Sequence, residues 1–263
     1  MKAISIMYHD VVERSQWDTS GFPGADAALY KLEREDFAKH LAAIAGSAQE
    51  KPASVLEVLA NRREKSSFML TFDDGGVSAY DRVAEMLETK GWRGHFFITS
   101  DYIGSSGFLS GDQIRELHQR GHIIGSHSSS HPQRMYRCTV EELLHEWQTS
   151  LDCLSQLVGK PVVTASVPGG YFSRKVARAA SRAGIKALFT SEPTATCFEV
   201  DGCLVIGRYA VQRGMKPETA ARLARGDIGP RLRQKLFWNA KKAAKLLGGE
   251  YYLKLRQSIL GSK

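Results

Sequence analysis

The stretch FMLTFDDGG, residues 68–76, places two adjacent carboxylates, Asp73 and Asp74, directly after a run of apolar residues. The run predicts a buried strand, and the two glycines predict a tight turn into a following helix. In parallel α/β folds the loops beyond the carboxyl ends of the strands carry the functional groups. We therefore expect a functional site here, in which one carboxylate binds a cation and its neighbour acts as a base. A helix N-cap would explain one aspartate but not two.

Short apolar runs alternate with amphipathic segments on both sides of this stretch, which is typical of a mostly parallel sheet. We expect about seven strands, at residues 3–8, 68–72, 94–99, 122–126, 162–167, 186–190 and 203–208. The expected helices cover residues 35–45, 54–61, 78–90, 110–120, 139–157 and 173–183, and residues 11–32 are expected to form a long loop. Seven such units in a chain of 263 residues favour an α/β barrel over an open sheet.

The composition, with 43% hydrophobic and 24% charged residues, is that of a soluble globular protein and excludes disordered, fibrous and disulfide-framework chains. The formal net charge of +8 is confined to residues 231–263, which carry nine basic residues and one acid. Because the first 230 residues are formally neutral, we expect no nucleic-acid partner. The four cysteines show no CxxC spacing and are expected to be reduced thiols.

We divide the chain into a barrel over residues 1–230 and a basic amphipathic helical tail over residues 231–263. Apolar residues recur in the tail at three- and four-residue spacing, among them Leu232 and Leu236. Two interpretations stay open: a helical hairpin packed on the barrel, or a basic surface that binds anionic lipid headgroups or a phosphate-bearing substrate. No signal-peptide pattern and no run of 18 apolar residues occurs, so we expect a cytoplasmic protein, or one peripheral to the membrane.

The segment HSSSH, residues 127–131, supplies two imidazoles four residues apart after an expected strand. One helical turn would place both on one face, within reach of a single ion. His118 and His122 share this spacing, but His122 begins the strand that His127 follows, so we expect that pair at the opposite end of the barrel in a structural role. Two histidines and an aspartate from separate loops are typical of a catalytic metal site with open positions. Zinc is the expected ion, and nickel, cobalt or iron would suit the same ligands.

The motif TFDDG, followed about fifty residues later by HSSSH with LSGDQIRELHQRGHIIGSH leading into it, resembles the polysaccharide deacetylases of the NodB-homology group, carbohydrate esterase family four. The resemblance spans roughly residues 68–190 and implies a distorted seven-stranded α/β barrel. It also implies a metal-dependent hydrolase that removes N-acetyl groups from amino sugars of a polysaccharide or lipid-linked glycan, as in exopolysaccharide biosynthesis. By the same resemblance, Asp73 is the general base, and Asp74, His127 and His131 bind the metal.

The sequence departs from the third motif of this family, Arg-x-Pro-aromatic-Gly, because residues 166–170 read SVPGG. Ser166 stands where the family has the arginine that orients the base, while the turn after the proline is retained. The resemblance implies that this turn binds the oxyanion or the substrate, through Pro168, Gly169, Gly170 and Tyr171. Arg208, at the end of the last expected strand, is added to this group because it could replace the missing arginine in space.

The family's last motif, Leu-x-His, which supplies the general acid, has no counterpart, since no histidine follows His145. His9 follows the first expected strand and is the best substitute. The segment MYHDVV is similar to the start of the poly-N-acetylglucosamine deacetylases of biofilm systems, in which an N-terminal histidine takes the acid role. A loop histidine bonded to backbone, with Asp10 as the acid, is the alternative. The two departures also leave open a non-catalytic glycan-binding barrel, or a deformylase of a lipid-linked amino sugar.

Overall fold

The computed structural model describes residues 1–61 and 67–240, so the expected tail beyond residue 240 lies outside the described residues. The strands are β1 (Ala3–Tyr8), β2 (Val11–Val12), β3 (Leu32–Glu33), β4 (Ser67–Phe72), β5 (His95–Ile98), β6 (Ile123–Ser126), β7 (Thr164–Ser166), β8 (Ala187–Phe189), β9 (Phe198–Val200), β10 (Cys203–Ile206) and β11 (Tyr209–Ala210). The helices are α1 (Ala25–Ala28), α2 (Arg34–Ser47), α3 (Val55–Asn61), α4 (Ala84–Glu88), α5 (Gly111–Gln119), α6 (Val140–Val158), α7 (Arg174–Arg182) and α8 (Pro217–Ala224). A ninth helix, α9, covers residues 228–240.

The main sheet has nine strands in the order β11-β1-β4-β5-β6-β7-β8-β10-β9. Every neighbouring pair is parallel except β10 and β9. The strand count therefore differs from the seven that the sequence predicts. The additional strands are β9, which forms an antiparallel pair with β10, and β11, which follows β10 after two residues and pairs with β1. Gly207 lies between β10 and β11. Only glycine fits there, because a Cβ would lie 2.4 Å from the carbonyl oxygen of Glu192.

Helices α5 and α6 begin at side-chain N-caps that the sequence provides. Ser110 and Thr139 each form a capping box, in which the N-cap side chain accepts a hydrogen bond from the backbone amide three residues later, and the N-cap amide donates one to the side chain of that later residue. The second of these begins α6, which confirms the predicted helix over residues 139–157. The predicted helix over residues 78–90 differs, because its first turn, Ala79–Val83, has π-helical hydrogen bonding before α4 begins.

Residues 11–32 are more ordered than the predicted long loop. They contain β2, which pairs with β3, and the short helix α1. The Lys31 side chain is 1% exposed, and its ammonium donates hydrogen bonds to the carbonyl oxygens of Trp17, Ser20 and Phe22. This single buried cation therefore fixes the path of the whole loop.

Helix α9 presents its apolar side to solvent. Arg231 donates a hydrogen bond to the Tyr209 hydroxyl at 2.9 Å, and Gln234 donates one to the carbonyl oxygen of Ala210 at 3.0 Å. Leu232 and Leu236 are 51% and 61% exposed. These two leucines are therefore largely exposed while Arg231 and Gln234 contact β11, and the remainder of the expected hairpin lies outside the described residues.

Among the described residues, no helix is both long enough and apolar enough to cross a membrane. The four cysteines are unpaired thiols. His122 lies away from the carboxylates of the FDDGG segment, where it bonds to Glu88 at 2.9 Å and accepts a hydrogen bond from the Gly94 amide. It thus has the structural role that the sequence predicts.

Candidate active site

Strand β4 ends at the two adjacent carboxylates. The Asp73 amide donates a hydrogen bond to the carbonyl oxygen of Tyr8, which continues the pairing with β1 for one more residue. Asp74 then adopts a left-handed conformation, with φ of 75°, a backbone region that is uncommon outside glycine. The break sends the two side chains in different directions while both stay buried, at 5% and 8% exposure.

Asp74, His127 and His131 form a group of three potential ligand atoms that lie within 4.8 Å of one another. Asp74 Oδ1 is 3.4 Å from His127 Nε2 and 3.6 Å from His131 Nε2. A tetrahedral zinc ion with bonds of about 2.1 Å separates its ligand atoms by about 3.4 Å. The donor set and its spacing therefore fit a divalent ion of zinc size.

The His127 ring is oriented for metal binding by its second nitrogen. Its Nδ1 lies 3.0 Å from the carbonyl oxygen of Ser166. Since a carbonyl oxygen can only accept, Nδ1 carries the hydrogen and the Nε2 lone pair points toward Asp74. Burial lowers the pKa of His127, but the carboxylates of Asp73 and Asp74 outweigh it and leave the pKa raised.

The segment HSSSH is not helical, so the predicted helical turn is wrong. Ser128 and His131 have φ values of 66° and 61°. The backbone amides of Ser129 and Ser130 donate hydrogen bonds to Glu146 on α6, at 3.0 and 2.9 Å. The Glu146 carboxylate therefore accepts the hydrogen bonds that these amides would otherwise donate to backbone carbonyls. The two imidazoles still lie close together without a helical turn.

Arg208 forms a two-pronged ion pair with Asp73. Its Nη1 and Nη2 atoms lie 2.6 and 2.7 Å from the two carboxylate oxygens, and its Nε donates to the carbonyl oxygen of Thr190. Burial raises the pKa of Asp73, but the positive charges of Arg208 and His127 outweigh it, so that the pKa lies below its usual value. Asp73 is consequently a carboxylate at neutral pH.

The Arg208 side chain is completely buried. This placement does not suit the substrate contact for which the sequence grouped Arg208 with the turn after Pro168. It does suit the other expectation, that Arg208 stands in for the arginine missing at Ser166. Ser166 itself reaches the same carboxylate, since its hydroxyl lies 3.1 Å from Asp73 Oδ1.

His9 directly follows β1 and faces the same group of residues. Its electrostatic influence lowers the pKa of both Asp73 and Asp74; burial, the largest effect, acts in the opposite direction, and for Asp73 the effects of Arg208 and His127 exceed that of His9. The His9 ring packs on Tyr30 at 4.9 Å between centroids, and its Nδ1 is buried with no hydrogen-bond partner among the described residues.

The turn after Pro168 borders the site with two left-handed glycines. The Gly170 amide donates a hydrogen bond to the carbonyl oxygen of Val167 at 2.8 Å, so it is already occupied. A Cβ at Gly170 would lie 1.8 Å from the Ser191 hydroxyl, which requires glycine there. Of the two amides, that of the exposed Gly169 is therefore the candidate donor to an oxyanion.

Sequence reasoning missed a buried polar cluster behind His9. Asp10 accepts hydrogen bonds from Ser20 at 2.6 Å and Ser78 at 2.8 Å. These bonds hold the loop that carries Phe22, whose ring lies 4.7 Å from the ring of His131. The polar cluster binds one oxygen of Asp10, Oδ1, while Oδ2 is buried with no hydrogen-bond partner among the described residues.

Comparison with known proteins gives a consistent picture. The sequence model of the family described as polysaccharide deacetylase matches residues 60–188. The peptidoglycan-N-acetylmuramic acid deacetylase PdaA of Bacillus subtilis is 30% identical over 135 residues, which are 51% of this chain and 49% of the relative. The Bacillus subtilis protein YxkH is 25% identical over 165 residues, 63% of this chain and 58% of the relative. The chain thus spans about half the length of these curated relatives.

Two solved structures share the fold along most of both chains. IcaB from Ammonifex degensii is 20% identical, with a TM-score of 0.69 over 85% of this chain and 97% of that structure. The Streptococcus pyogenes deacetylase PplD, solved in complex with acetate, is also 20% identical, with a TM-score of 0.68 over 83% and 96% of the two chains.

Proposed function

We propose that this chain, which belongs to the polysaccharide deacetylase family through residues 60–188, is a metal-dependent hydrolase that removes the N-acetyl group from an amino sugar of a polysaccharide or lipid-linked glycan. One observation carries the proposal. A buried carboxylate, Asp73, is held by Arg208 immediately beside the ligand group Asp74, His127 and His131. A base next to a divalent ion is the arrangement that amide hydrolysis requires.

The metal would be held by Asp74, His127 and His131, with zinc as the ion that their donor atoms favour and nickel, cobalt or iron as substitutes. When bound, such an ion supplies the positive charge that polarises the amide carbonyl and stabilises the charge that develops on its oxygen. His127 is prepared for this role by the Ser166 carbonyl, which holds a hydrogen on Nδ1 and so leaves Nε2 as the ligand nitrogen. Phe22 limits the rotation of His131 by packing on its ring.

Asp73 acts as the general base that takes a proton from the attacking water. Its two oxygens are held by Arg208, so its orientation is fixed before the substrate binds. The Gly169 amide donates to the developing oxyanion, and Pro168 and Gly170 hold the turn in place. Tyr171 borders the same turn as a substrate contact.

His9 acts as the general acid that protonates the departing amine. Its position after β1 and its influence on both carboxylates support this role. We expect His9→Gln to lower amide hydrolysis by about 10²–10⁴-fold. Hydrolysis of an aryl acetate, whose leaving group needs no proton, should fall less than tenfold. An equal loss on both substrates would exclude the acid role.

Release of acetate from N-acetylated chito-oligosaccharides tests the proposed reaction. The wild-type protein should release acetate, Asp73→Asn should lose at least a thousandfold in turnover, and the exposed Asp112→Asn should match the wild type. Release of formate from an N-formylated analogue, with no acetate from the acetylated one, would make the protein a deformylase. Glycan binding without release of either acid would make it a non-catalytic glycan-binding barrel.

We also propose that α9 holds the protein at an anionic membrane surface. The outward apolar row consists of Ile228, Leu232 and Leu236, which are 77%, 51% and 61% exposed. A groove of about 190 Å³ between this helix and residues 193–196 is lined by Ile228 and Leu232 together with the cationic side chains of Arg231 and Lys235. An apolar row next to cationic side chains is typical of helices that lie in the membrane interface. The four unpaired cysteines suit a reducing compartment, so we place this contact on the cytoplasmic side.

Vesicle sedimentation tests the membrane contact. We expect the full chain to bind vesicles with 30% phosphatidylserine in preference to neutral ones, and replacement of Ile228, Leu232 and Leu236 by serine to abolish this binding. The control is Leu56→Ser, at an exposed leucine on α3. Equal binding of the triple variant and the wild type would refute the proposed contact.

A further inference from the structure

Three aromatic side chains from separate parts of the chain form a row at the rim of the candidate active site. The Tyr171 ring lies 5.0 Å from the ring of Trp238 and 6.3 Å from that of Tyr136. Tyr136 is 40% exposed, and the other two are half-buried. Adjacent, partly exposed aromatic rings give the surface a contiguous apolar patch, which is a feature of ligand-binding sites.

Two of these residues are tied to the catalytic groups by short stretches of chain. Tyr136 lies five residues after the ligand His131, in the 3₁₀ turn Met135–Arg137. Tyr171 follows the turn that carries the Gly169 amide. The two loops touch, because a Cβ at Gly169 would lie 3.3 Å from the carbonyl oxygen of Gln133. The aromatic row therefore begins beside the two loops that carry His131 and the Gly169 amide.

Trp238 is brought to this row by α9, which lies outside the segment that the family model matches. Arg231, Gln234 and Trp238 are three and four residues apart, so they share one face of the helix. The first two are bonded to Tyr209 and to the carbonyl oxygen of Ala210 on β11. These two bonds anchor α9 on β11, so that the indole of Trp238 contacts the ring of Tyr171 with an interplanar angle of 31°.

We infer that Tyr136, Tyr171 and Trp238 form an outer sugar subsite that binds an N-acetylated amino-sugar chain beyond the unit whose amide is hydrolysed. This inference rests on the proposed function and deepens it, since it makes an oligosaccharide the preferred substrate. A pyranose ring has an apolar face of C–H groups and a polar edge of hydroxyls. Tyrosine and tryptophan match it with an apolar ring face and one polar group each.

The test compares substrates of different length. The substrates are N-acetylated chitobiose and N-acetylated chitopentaose. The variants are Trp238→Leu and Trp238→Phe. The control is Tyr80→Leu, in the turn Ala79–Val83 that precedes α4. We expect Trp238→Leu to lower kcat/KM for chitopentaose about tenfold, the size of one aromatic stacking contact. Its kcat/KM for chitobiose should change less than twofold, and Trp238→Phe should recover most of the loss.

An equal effect of Trp238→Leu on both substrates, or no effect on either, would overturn the subsite and leave Trp238 as a packing residue of α9. Calorimetric binding of chitopentaose to zinc-loaded Asp73→Asn protein separates this inference from the reaction. One outcome is that the wild type releases no acetate while the added Trp238→Leu substitution still weakens binding to the Asp73→Asn protein about tenfold. In that case the subsite stands and the proposed reaction fails. If chitopentaose does not bind, or binds equally in both backgrounds, the subsite is excluded.

Discussion

Replacement of Arg208 by methionine should change stability and catalysis together. Arg208 and Asp73 are both buried, with side-chain exposures of 0% and 3%, and they are joined by two hydrogen bonds. Methionine retains most of the volume of the arginine stem but leaves the Asp73 carboxylate without its counter-charge. Breaking a buried ion pair by removing one partner costs about 3–5 kcal/mol of unfolding free energy. We expect a loss in that range at pH 7.

The same substitution should raise the pKa of Asp73. In the wild type, burial favours the neutral acid, and the charges of Arg208 and His127 reverse that preference. Because the folded pKa is lowered, Asp73 contributes stability above the ordinary carboxyl pKa and loses it as the pH falls through the folded value. Without Arg208 the burial effect dominates, so the acidic limb of the kcat/KM profile should move to higher pH.

The assays are urea unfolding and kcat/KM for chitopentaose between pH 4 and 9. Arg222→Met is the matched control, because Arg222 forms an exposed ion pair with Asp227, and exposed pairs contribute little to stability. Arg208→Lys keeps the charge but not the fork, and should be intermediate. The double variant Asp73→Asn with Arg208→Met should be more stable than the two single losses added together predict. An unfolding free energy for Arg208→Met within 1 kcal/mol of the wild type, with an unmoved acidic limb, would refute the reasoning.

Three further substitutions test the packing around the site. Burial lowers the pKa of His95 to about 4, so the wild type should lose up to about 3 kcal/mol of unfolding free energy as the pH falls from 6.5 toward 4. His95→Gln should remove this pH dependence. Unfolding at both pH values measures it, and an unchanged pH dependence would contradict the prediction. Gly76→Ala should destabilise the fold by about 1–3 kcal/mol, since its Cβ would lie 1.9 Å from Asp10 Oδ1, whereas Gly46→Ala, with open space around its Cβ, should not. Lys31→Met should cost about 3–5 kcal/mol by leaving the carbonyl oxygens of Trp17, Ser20 and Phe22 without their buried donor, against little for the exposed Lys39→Met; similar melting of the two variants would argue against the buried cation.

The candidate ligand group Asp74, His127 and His131 could be predicted from the sequence because each residue directly follows a short, recognisable segment. Asp73 and Asp74 follow one apolar run, His127 follows another, and parallel strands bring their carboxyl ends to one edge. The path of residues 127–131 could not be predicted in this way. It depends on Glu146, which is distant in sequence and reaches the backbone only after α6 has packed.

The partner of Asp73 shows the same limit. Arg208 was a candidate because it ends a predicted strand, but its contact with Asp73 depends on the break at Gly207 between β10 and β11. The sequence did not predict this break because β11 has only two residues, which is too short to show an alternation of apolar and polar side chains. The outward row of α9 is also invisible to periodicity, which detects an amphipathic helix but not which face meets the protein.

The dependence of acetate release on metal occupancy tests the central claim most directly. The protein would be stripped with a chelator and titrated with zinc, and bound metal and acetate release from chitopentaose would be measured on the same samples. We predict one zinc per chain, with turnover rising in proportion to occupancy. His127→Ala should lose both, and His118→Ala should keep both. Full turnover in the stripped protein, or in His127→Ala, would contradict the account.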